Sequence, residues 1–493
     1  MGENTIFQNN TVPSSPQNQE VPPAKDEKAV HTLPIAGQSV PNIQGAPTPM
    51  WQKTPQQSSG RSFPIKNIFK GLLGLFFIIL VGFLGAGFIL PRFAQNEKEV
   101  VTISYWGLWE GENVIRTILA DFEKENPTVK VAYVKQDNKQ YRDRVVTRAQ
   151  NGTGPDVFLF HNTWLPQMVS YLLPLPNDVI SKDEFQKTFY PVVINDLIHK
   201  GAIYGIPSGM DTLSMFINTE IFQQAGLTPP ANWQDFARTA RMLTVKDEMG
   251  KIRTAGAAMG TFDNVTHASD IISLLLVQNG ANIRNIPITK ESAIDAFDFY
   301  VSFAREGEKV WDETLDPSLL AFSKGNLAMY FGYSWDIFAI KQLNPQLSFQ
   351  VVSVPHLPGR NTTIASYWAN GVSAKSKYQK EAMLLLKFLS KKETMQKLFS
   401  ESAKTRLFGE PYAHRDLAKS LSDNSLVYPF VEQAKDAASS FFASDTFDDG
   451  LNSQMNAYLG NAVRAMLGNT STETAVDTLA NGVAQILRQY GGQ

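Results

Sequence analysis

The chain has 493 residues, a formal net charge of −2 and 43% hydrophobic residues. The balanced charge argues against a nucleic-acid-binding protein, which would show an excess of Lys and Arg. The absence of cysteine excludes disulfides, thiolate metal sites and attachment to a membrane through a lipid-modified cysteine.

The first 65 residues have the composition of a segment that does not fold alone. Pro, Gln, Ser, Thr, Asn and Gly dominate, as in TVPSSPQNQEVPP and QKTPQQSSG. Such a segment buries too little apolar surface to offset the entropy lost on ordering. We therefore predict a disordered tail over residues 1–65, with a docking peptide around Trp51 as the alternative.

An uncharged apolar run follows the tail. Residues 71–90 read GLLGLFFIILVGFLGAGFIL, which is long enough to cross a bilayer as a helix. The run is too long and starts too far into the chain for a typical cleaved signal peptide. We predict an anchor helix in the lipid bilayer over residues 69–91. Slightly more Lys and Arg precede the run than follow it, which favours a cytoplasmic N-terminus and an extracytoplasmic remainder.

The chain after the anchor begins with alternating strand and helix patterns. Val100–Trp106 is a β-branched and aromatic run, and Asn113–Asn126 places its apolar residues on one helical face. A second strand is predicted at Val129–Val134, a second helix at Tyr141–Gln150 and a third strand at Asp156–Phe160. This βαβαβ order predicts an α/β fold with a parallel sheet covered by helices.

Long stretches of this part resemble one family. They include VTISYWGLWEGENVIRTILADFEKENPTVKVAYV, NGTGPDVFLFHNTWLPQMV, FSKGNLAMYFGYSWDIF and YWANGVSAKSKYQKEAMLLLKFLSKKETMQKLF. In this order they resemble the extracytoplasmic solute-binding proteins of carbohydrate-uptake ABC transporters, the group that includes maltose-binding protein. The resemblance covers nearly the whole chain after the anchor.

The resemblance implies a two-lobed periplasmic-binding-protein-like fold of type II over residues 99–493. By position, lobe 1 is expected at about 99–209 and 319–355, and lobe 2 at about 213–317 and 364–493. It also implies a sugar or oligosaccharide ligand held between the lobes, delivery to ABC permease subunits in the membrane, and no catalytic residues.

Candidate ligand-binding residues follow the predicted strands and lobe crossings, because open α/β sheets bind ligands at the carboxyl ends of their strands. Aromatic rings pack on the C–H faces of sugars, while carboxylates and amides bond to the hydroxyls. The candidates are Trp109, Glu110, Asn113, His161, Asn162, Trp164, Asp211, Tyr333, Trp335, Asp336, Tyr367, Trp368 and Asn370.

Several candidates have a structural alternative. Trp164 could cap the core of its own lobe, and Asp211 could cap the strand that follows it, although the family places an acidic sugar ligand near this position. Trp335 matches the aromatic of a GPW-like family motif, but this chain reads GYSW and lacks the proline. The turn at Phe262–Asn264 could reach the cleft, and a capping role is favoured there.

Two other functions stay open. A glycoside hydrolase would need two carboxylates about 5–10 Å apart, such as Glu110 with Asp211 or Asp336, and no catalytic motif supports one. A ligand sensor would need a signalling partner for the tail. We predict no cofactor and no metal. Few Arg or Lys residues lie in the candidate loops, which disfavours a strongly anionic ligand. Polyol phosphates and other small polar solutes, which some family members bind, are the alternative ligands.

Overall fold

The computed structural model describes residues 99–307 and 309–491, together with Ile79. The predicted tail at 1–65 lies outside these residues, and so does the predicted anchor at 69–91 apart from Ile79. Within the described ranges, no helix is both long and apolar enough to cross a membrane. Residues 99–307 and 309–491 belong to one compact unit.

The secondary structure alternates strands and helices through most of the chain. The strands are β1 Val101–Gly107, β2 Val129–Lys135, β3 Val157–His161, β4 Ile198–His199, β5 Ala202–Ile203, β6 Ile206–Pro207, β7 Asp211–Thr212, β8 Ser214–Asn218, β9 Val245–Lys246, β10 Ile252–Ala257, β11 Leu327–Gly332, β12 Phe349–Val352, β13 Thr363–Ser366, β14 Trp368–Val372 and β15 Ala437–Ala438. The α-helices are α1 Glu112–Glu125, α2 Tyr141–Gln150, α3 Leu165–Met168, α4 Lys182–Thr188, α5 Pro191–Leu197, α6 Thr219–Ala225, α7 Trp233–Leu243, α8 Ala268–Gln278, α9 Lys290–Ser302, α10 Ser318–Ser323, α11 Asp336–Leu343, α12 Gln379–Leu389, α13 Lys392–Ser402, α14 Tyr428–Glu432, α15 Leu451–Leu467 and α16 Thr472–Gln489.

The first sheet defines lobe 1 and contains the predicted βαβαβ unit. Its strand order is β2-β1-β3-β14-β6, with β1 parallel to β2 and β3. The helix α1 buries the apolar face that its sequence predicts, including Ile118 and Phe122. Burying that stripe against the sheet is what stabilises so short a helix.

The second sheet defines lobe 2, and its strand order is β12-β8-β11-β10-β9. A third, small sheet of order β15-β13-β7 lies where the chain passes between the two larger sheets. Asp211 in β7 pairs with Ser366 in β13, directly before β14 enters the first sheet. The described residues therefore form a two-lobed α/β fold.

The strand pairings correct the predicted extents of both lobes. The segment 319–355, predicted for lobe 1, carries β11 and β12, and both pair with β8 in the second sheet. The segment 364–493, predicted for lobe 2, sends β14 between β3 and β6 of the first sheet. Its helix α13 bonds to α1 of lobe 1 through Lys397 and Asp121, whereas α16 bonds to Lys290 of lobe 2. Hydrogen bonds between strands that are distant in sequence decide which lobe each segment joins. Local sequence patterns do not encode these bonds.

Candidate functional site

One edge of the first sheet gathers four predicted site residues. The strands β1 and β3 are parallel, so their carboxyl ends share an edge, and β14 places Trp368 opposite His161 there. The ring centroid of Trp368 lies 5.4 Å from Trp109, 5.3 Å from His161 and 5.1 Å from Trp164, all edge-on. We call these four residues the lobe 1 cluster.

The members of the lobe 1 cluster differ in exposure. Trp164 and His161 are fully buried, whereas Trp109 and Trp368 are half-buried. Burial lowers the pKa of His161 to about 3, so its ring is neutral, and two buried hydroxyls bond to its nitrogens. Trp164 and His161 therefore pack beneath the half-buried indoles, and their predicted contact with a ligand stays a prediction.

A glycine positions the loop that carries Trp109. A Cβ on Gly107 would lie 2.2 Å from the hydroxyl oxygen of Tyr133, which is closer than real contacts allow. The Tyr133 hydroxyl occupies this space and donates a hydrogen bond to the backbone carbonyl of Glu110 at 2.8 Å. The glycine thus allows Tyr133 to hold the residues next to Trp109 in place.

Lobe 2 supplies a pair of stacked aromatic residues after β11. The rings of Tyr333 and Trp335 are 4.4 Å apart and within 15° of parallel. Tyr333 is fully buried, and its hydroxyl donates to Asp270 at 2.8 Å. Tyr333 covers one face of Trp335, which is half-buried. We call this pair the lobe 2 stack.

Asp336 lies beneath the lobe 2 stack and is 5% exposed. Its carboxylate accepts hydrogen bonds from His267 at 2.8 Å, from the Tyr330 hydroxyl at 2.9 Å and from the Tyr333 backbone at 3.1 Å. Burial lowers the pKa of His267, but Asp336, helped by Asp445, raises it to about 9. His267 is therefore charged at neutral pH, and the carboxylate of Asp336 is its partner in an ion pair.

The segment Ser444–Asp448, which we call the bridging segment, is bonded to lobe 2 at its start. The Ser444 backbone N–H donates to Asp270 at 2.9 Å, and its hydroxyl lies 2.8 Å from a ring nitrogen of His267. The carboxylate of Asp445 lies 3.6 Å from the same nitrogen.

The other end of the bridging segment contacts lobe 1. The ring of Phe447 packs 5.8 Å from that of Trp109, and Asp448 accepts a hydrogen bond from Gln167 at 3.0 Å. The Cα atoms of Asp445 and Phe447 are at most about 7 Å apart, because only one residue separates them. The lobe 1 cluster and the lobe 2 stack therefore flank this short segment.

Asp211 lies at the first crossing between the lobes and is 2% exposed. Its carboxylate accepts hydrogen bonds from the Ser334 backbone at 2.8 Å, from the Ser334 hydroxyl, and from the Thr212 backbone at 2.8 Å. Burial raises the pKa of Asp211, against the effect of the Ser334 bonds. The side chain joins β7 to the loop after β11, a link between distant segments that the sequence did not predict.

Glu110 and Asn113 are placed differently from Trp109. The Glu110 carboxylate pairs with Arg406 at 2.8 Å and accepts from the Ser402 hydroxyl at 3.0 Å. Arg406 also reaches Glu410 at 3.4 Å, and burial raises the pKa of Glu410. Asn113 is exposed in the first turn of α1, outside both aromatic groups, and its predicted role stays a prediction.

Three predicted polar residues form internal hydrogen bonds in lobe 1. Asn162 and the Tyr367 hydroxyl both donate to Asp196, at 3.0 and 2.8 Å, and burial raises the pKa of that carboxyl to about 6. Asn370 accepts from the Tyr105 hydroxyl at 2.7 Å. All three predicted side chains are buried and order the sheet edge, and their contact with a ligand stays a prediction.

A small cavity of about 40 Å³ opens beside this edge. Its lining includes Trp109, Glu110, Ser208, Asn370 and Glu410. A cavity of this size holds one or two waters and is too small for a sugar ring.

Sequence reasoning missed several polar residues near the aromatic groups. They are Asp196, His267, Asp270, Arg406, Glu410 and the bridging segment. No motif marks them, because each acquires its partner only through contacts between distant parts of the chain. Within residues 99–307 and 309–491, no group of three or more His, Asp or Glu side chains could hold a metal ion.

A family model described as bacterial extracellular solute-binding protein matches residues 117–406 of the chain. The chain belongs to this family. The resemblance inferred from the sequence is therefore confirmed, and the matched region extends across both lobes of this solute-binding protein.

Similar proteins support the same assignment. A curated relative, the multiple sugar-binding protein of Streptococcus mutans serotype c, is 25% identical over 360 residues, covering 67% of this chain and 80% of the relative. The sugar-binding protein MalE of Xanthomonas citri has a TM-score of 0.66 at 19% identity, over 80% of this chain and 98% of the other. An ABC transporter solute-binding protein of Thermotoga lettingae, bound with α-D-tagatose, has a TM-score of 0.61 at 20% identity, over 78% and 100%. These solved structures share the fold of this chain.

Proposed function

We propose that this chain is the substrate-binding receptor of an ABC importer and captures a sugar or short oligosaccharide between its lobes. The observation that carries the proposal is the placement of half-buried indoles from both lobes beside the bridging segment: Trp109 and Trp368 from lobe 1, and Trp335 from lobe 2. The names of the similar proteins, which refer to sugars, support the same ligand class.

The chemistry of these surfaces suits a sugar ring. The half-buried indole of Trp335 offers a flat apolar surface to the C–H groups of a pyranose, and Asp445 lies nearby to accept hydrogen bonds from hydroxyls. Arg406, the guanidinium nearest Glu110, already pairs with two carboxylates. That pairing disfavours a strongly anionic ligand, which would require clustered Arg residues.

Ligand capture between two lobes couples binding to closure. A sugar that contacts Trp335 and Trp109 together binds a closed arrangement more tightly than an open one, and only this difference in affinity shifts the equilibrium. The closed form is then what a membrane permease recognises. We propose that residues 69–91 tether the receptor to the bilayer, with the N-terminus cytoplasmic and residues 99–493 extracytoplasmic. Such a tether raises the receptor's concentration near its permease.

We also propose that the chain is a receptor and not a hydrolase. The three carboxylates considered for catalysis each have fixed partners: Glu110 with Arg406, Asp211 with Ser334 and Asp336 with His267. Asp211 and Asp336 are also buried, at 2% and 5% exposed, which argues against direct contact with a glycosidic bond.

A thermal-shift screen of the full chain in mild detergent tests the proposal. The compounds are mono- and oligosaccharides, with amino acids, polyamines and polyol phosphates as competing classes. A sugar at a hundredfold excess over its Kd stabilises the native state by about 2.7 kcal/mol. We expect a shift with at least one sugar, and an affinity about tenfold weaker after Trp335→Ala or Trp109→Ala.

Trp106→Ala is the matched control. Trp106 is a half-buried indole of the same lobe, but it packs beneath Arg148 of α2 at 5.5 Å and lies outside the lobe 1 cluster. We expect its removal to leave sugar affinity unchanged. A shift with a non-sugar alone would overturn the ligand class, and no shift with any compound would overturn the receptor function.

A further inference from the structure

Phe447 combines exposure with an unfavourable backbone conformation. The side chain is 37% exposed, although phenylalanine is usually buried. Its φ is +51°, and that of Asp445 is +52°, so both lie in the left-handed region that residues with a Cβ rarely adopt. Strained backbone of this kind persists where the surrounding structure imposes it, and it is enriched at ligand-binding sites.

Contacts on both sides impose this conformation. Ser444 is bonded to Asp270 and His267 in lobe 2, and Thr446 is 5% exposed. Asp448 accepts from Gln167 of lobe 1 and from two backbone N–H groups in the first turn of α15, at 3.3 and 3.1 Å. The bridging segment is thus fixed before and after Phe447, and its backbone holds the ring against Trp109 instead of in a core.

The aromatic rings on this side do not form a flat wall. Trp109 is inclined by 48° to Phe447 and by 68° to Trp368. Rings at such angles form a corner, which contacts a single sugar unit on two sides. By contrast, a chain of several units lying flat would need roughly coplanar rings.

We propose that Phe447 is a ligand-binding residue that contacts one monosaccharide unit of the ligand, in a corner formed with Trp109 and Trp368. This inference rests on the proposed function. An apolar C–H face of that unit packs on the Phe447 ring. Because the bridging segment is bonded to both lobes, the contact also links the sugar to the lobe 2 side of the site.

Isothermal titration of the full chain in detergent tests this assignment, with glucose, maltose, maltotriose, cellobiose, lactose and raffinose as probes. We expect Phe447→Ala to raise the Kd of each sugar that binds by about tenfold, and by a similar factor for short and long members of one series. Phe447→Tyr keeps the ring and should stay within threefold of the wild type. Tyr378→Ala, which removes a 41% exposed ring at the start of α12, is the control and should change nothing.

A second variant separates the ring from the backbone. Glycine adopts a positive φ freely, so Phe447→Gly removes the ring without strain and should weaken binding as much as Phe447→Ala. Normal affinity in Phe447→Gly, or a Kd of Phe447→Ala within twofold of the wild type, would overturn this inference while the proposed function stands. Absence of binding to every probe by the wild type would overturn both.

Discussion

The charge on His267 leads to a specific dependence of stability on pH. The ring is fully buried, 2.8 Å from Asp336 and 3.6 Å from Asp445. Burial alone would lower its pKa, but these carboxylates and Asp270 raise the pKa from 6.5 to about 9. The folded protein therefore binds the proton on this ring more tightly than the unfolded chain does.

The sign and size of the effect follow from this difference. Because the folded-state pKa of His267 is raised, the stabilisation is fully present below pH 6.5 and is lost as the pH rises through about 9. A difference of this size corresponds to about 3 kcal/mol of unfolding free energy. Between these limits, the contribution falls by about 1.4 kcal/mol per pH unit.

Comparing the wild type with His267→Gln isolates this contribution. Glutamine still offers a hydrogen bond to Asp336 but does not titrate. The contributions of all other titratable groups, which both proteins share, cancel in the difference between their unfolding free energies. We expect the stability advantage of the wild type to shrink by about 3 kcal/mol between pH 6 and pH 10. Urea unfolding of the full chain, followed by tryptophan fluorescence, measures it, since Trp335 lies 6.4 Å from the His267 ring.

His356→Gln provides the control. Among the described residues, no carboxylate forms an ion pair with His356, whose ring lies 3.3 Å from a backbone carbonyl. The difference between this variant and the wild type should not change with pH in the same way. A constant difference between wild type and His267→Gln from pH 6 to pH 10 would refute the charged His267–Asp336 pair.

Three further substitutions test contacts that position the site, each by urea unfolding. Ser334→Ala removes a hydroxyl donor from buried Asp211 and should cost about 1–2 kcal/mol; a loss below about 0.5 kcal/mol would show that the backbone donors suffice. Arg406→Met leaves Glu110 without its cation and should cost about 2–3 kcal/mol, and unchanged stability would contradict the pairing. Gly256→Ala would place a Cβ 1.8 Å from a carbonyl oxygen of α7 and should cost about 2 kcal/mol or more, so a variant as stable as the wild type would disprove the close approach.

The first βαβαβ unit could be predicted from the sequence almost residue by residue. The helix predicted at Asn113–Asn126 is observed at Glu112–Glu125, and the strand predicted at Val129–Val134 is observed at Val129–Lys135. These elements are local, since a periodic apolar face and flanking breakers determine each one. The motifs of the family, spread along the chain, also indicated the two-lobed fold.

Lobe membership could not be predicted in the same way. Every residue of Leu327–Gly332 is buried in the structure. The apolar sequence of this segment indicates a central strand, but it does not indicate which of the two sheets contains that strand. Hydrogen bonds to Ser214–Asn218 decide that it belongs to lobe 2. Pairing also decides the lobe of Trp368–Val372. This strand lies between Val157–His161 and Ile206–Pro207, and both are far from it in sequence.

The same contrast between local sequence patterns and long-range contacts applies to the candidate site. The sequence by itself determined which positions follow strand ends, and Trp109, Trp335 and Trp368 are half-buried there. It left the role of Trp164 open between ligand contact and core, because Trp109 and Trp164 both follow strands of one sheet and only the packing of Trp368 and Tyr141 buries Trp164. Only the tertiary structure placed Phe447 against Trp109, 338 positions apart in sequence. Burial and partner choice are properties of the assembled fold, since they depend on which distant segments meet.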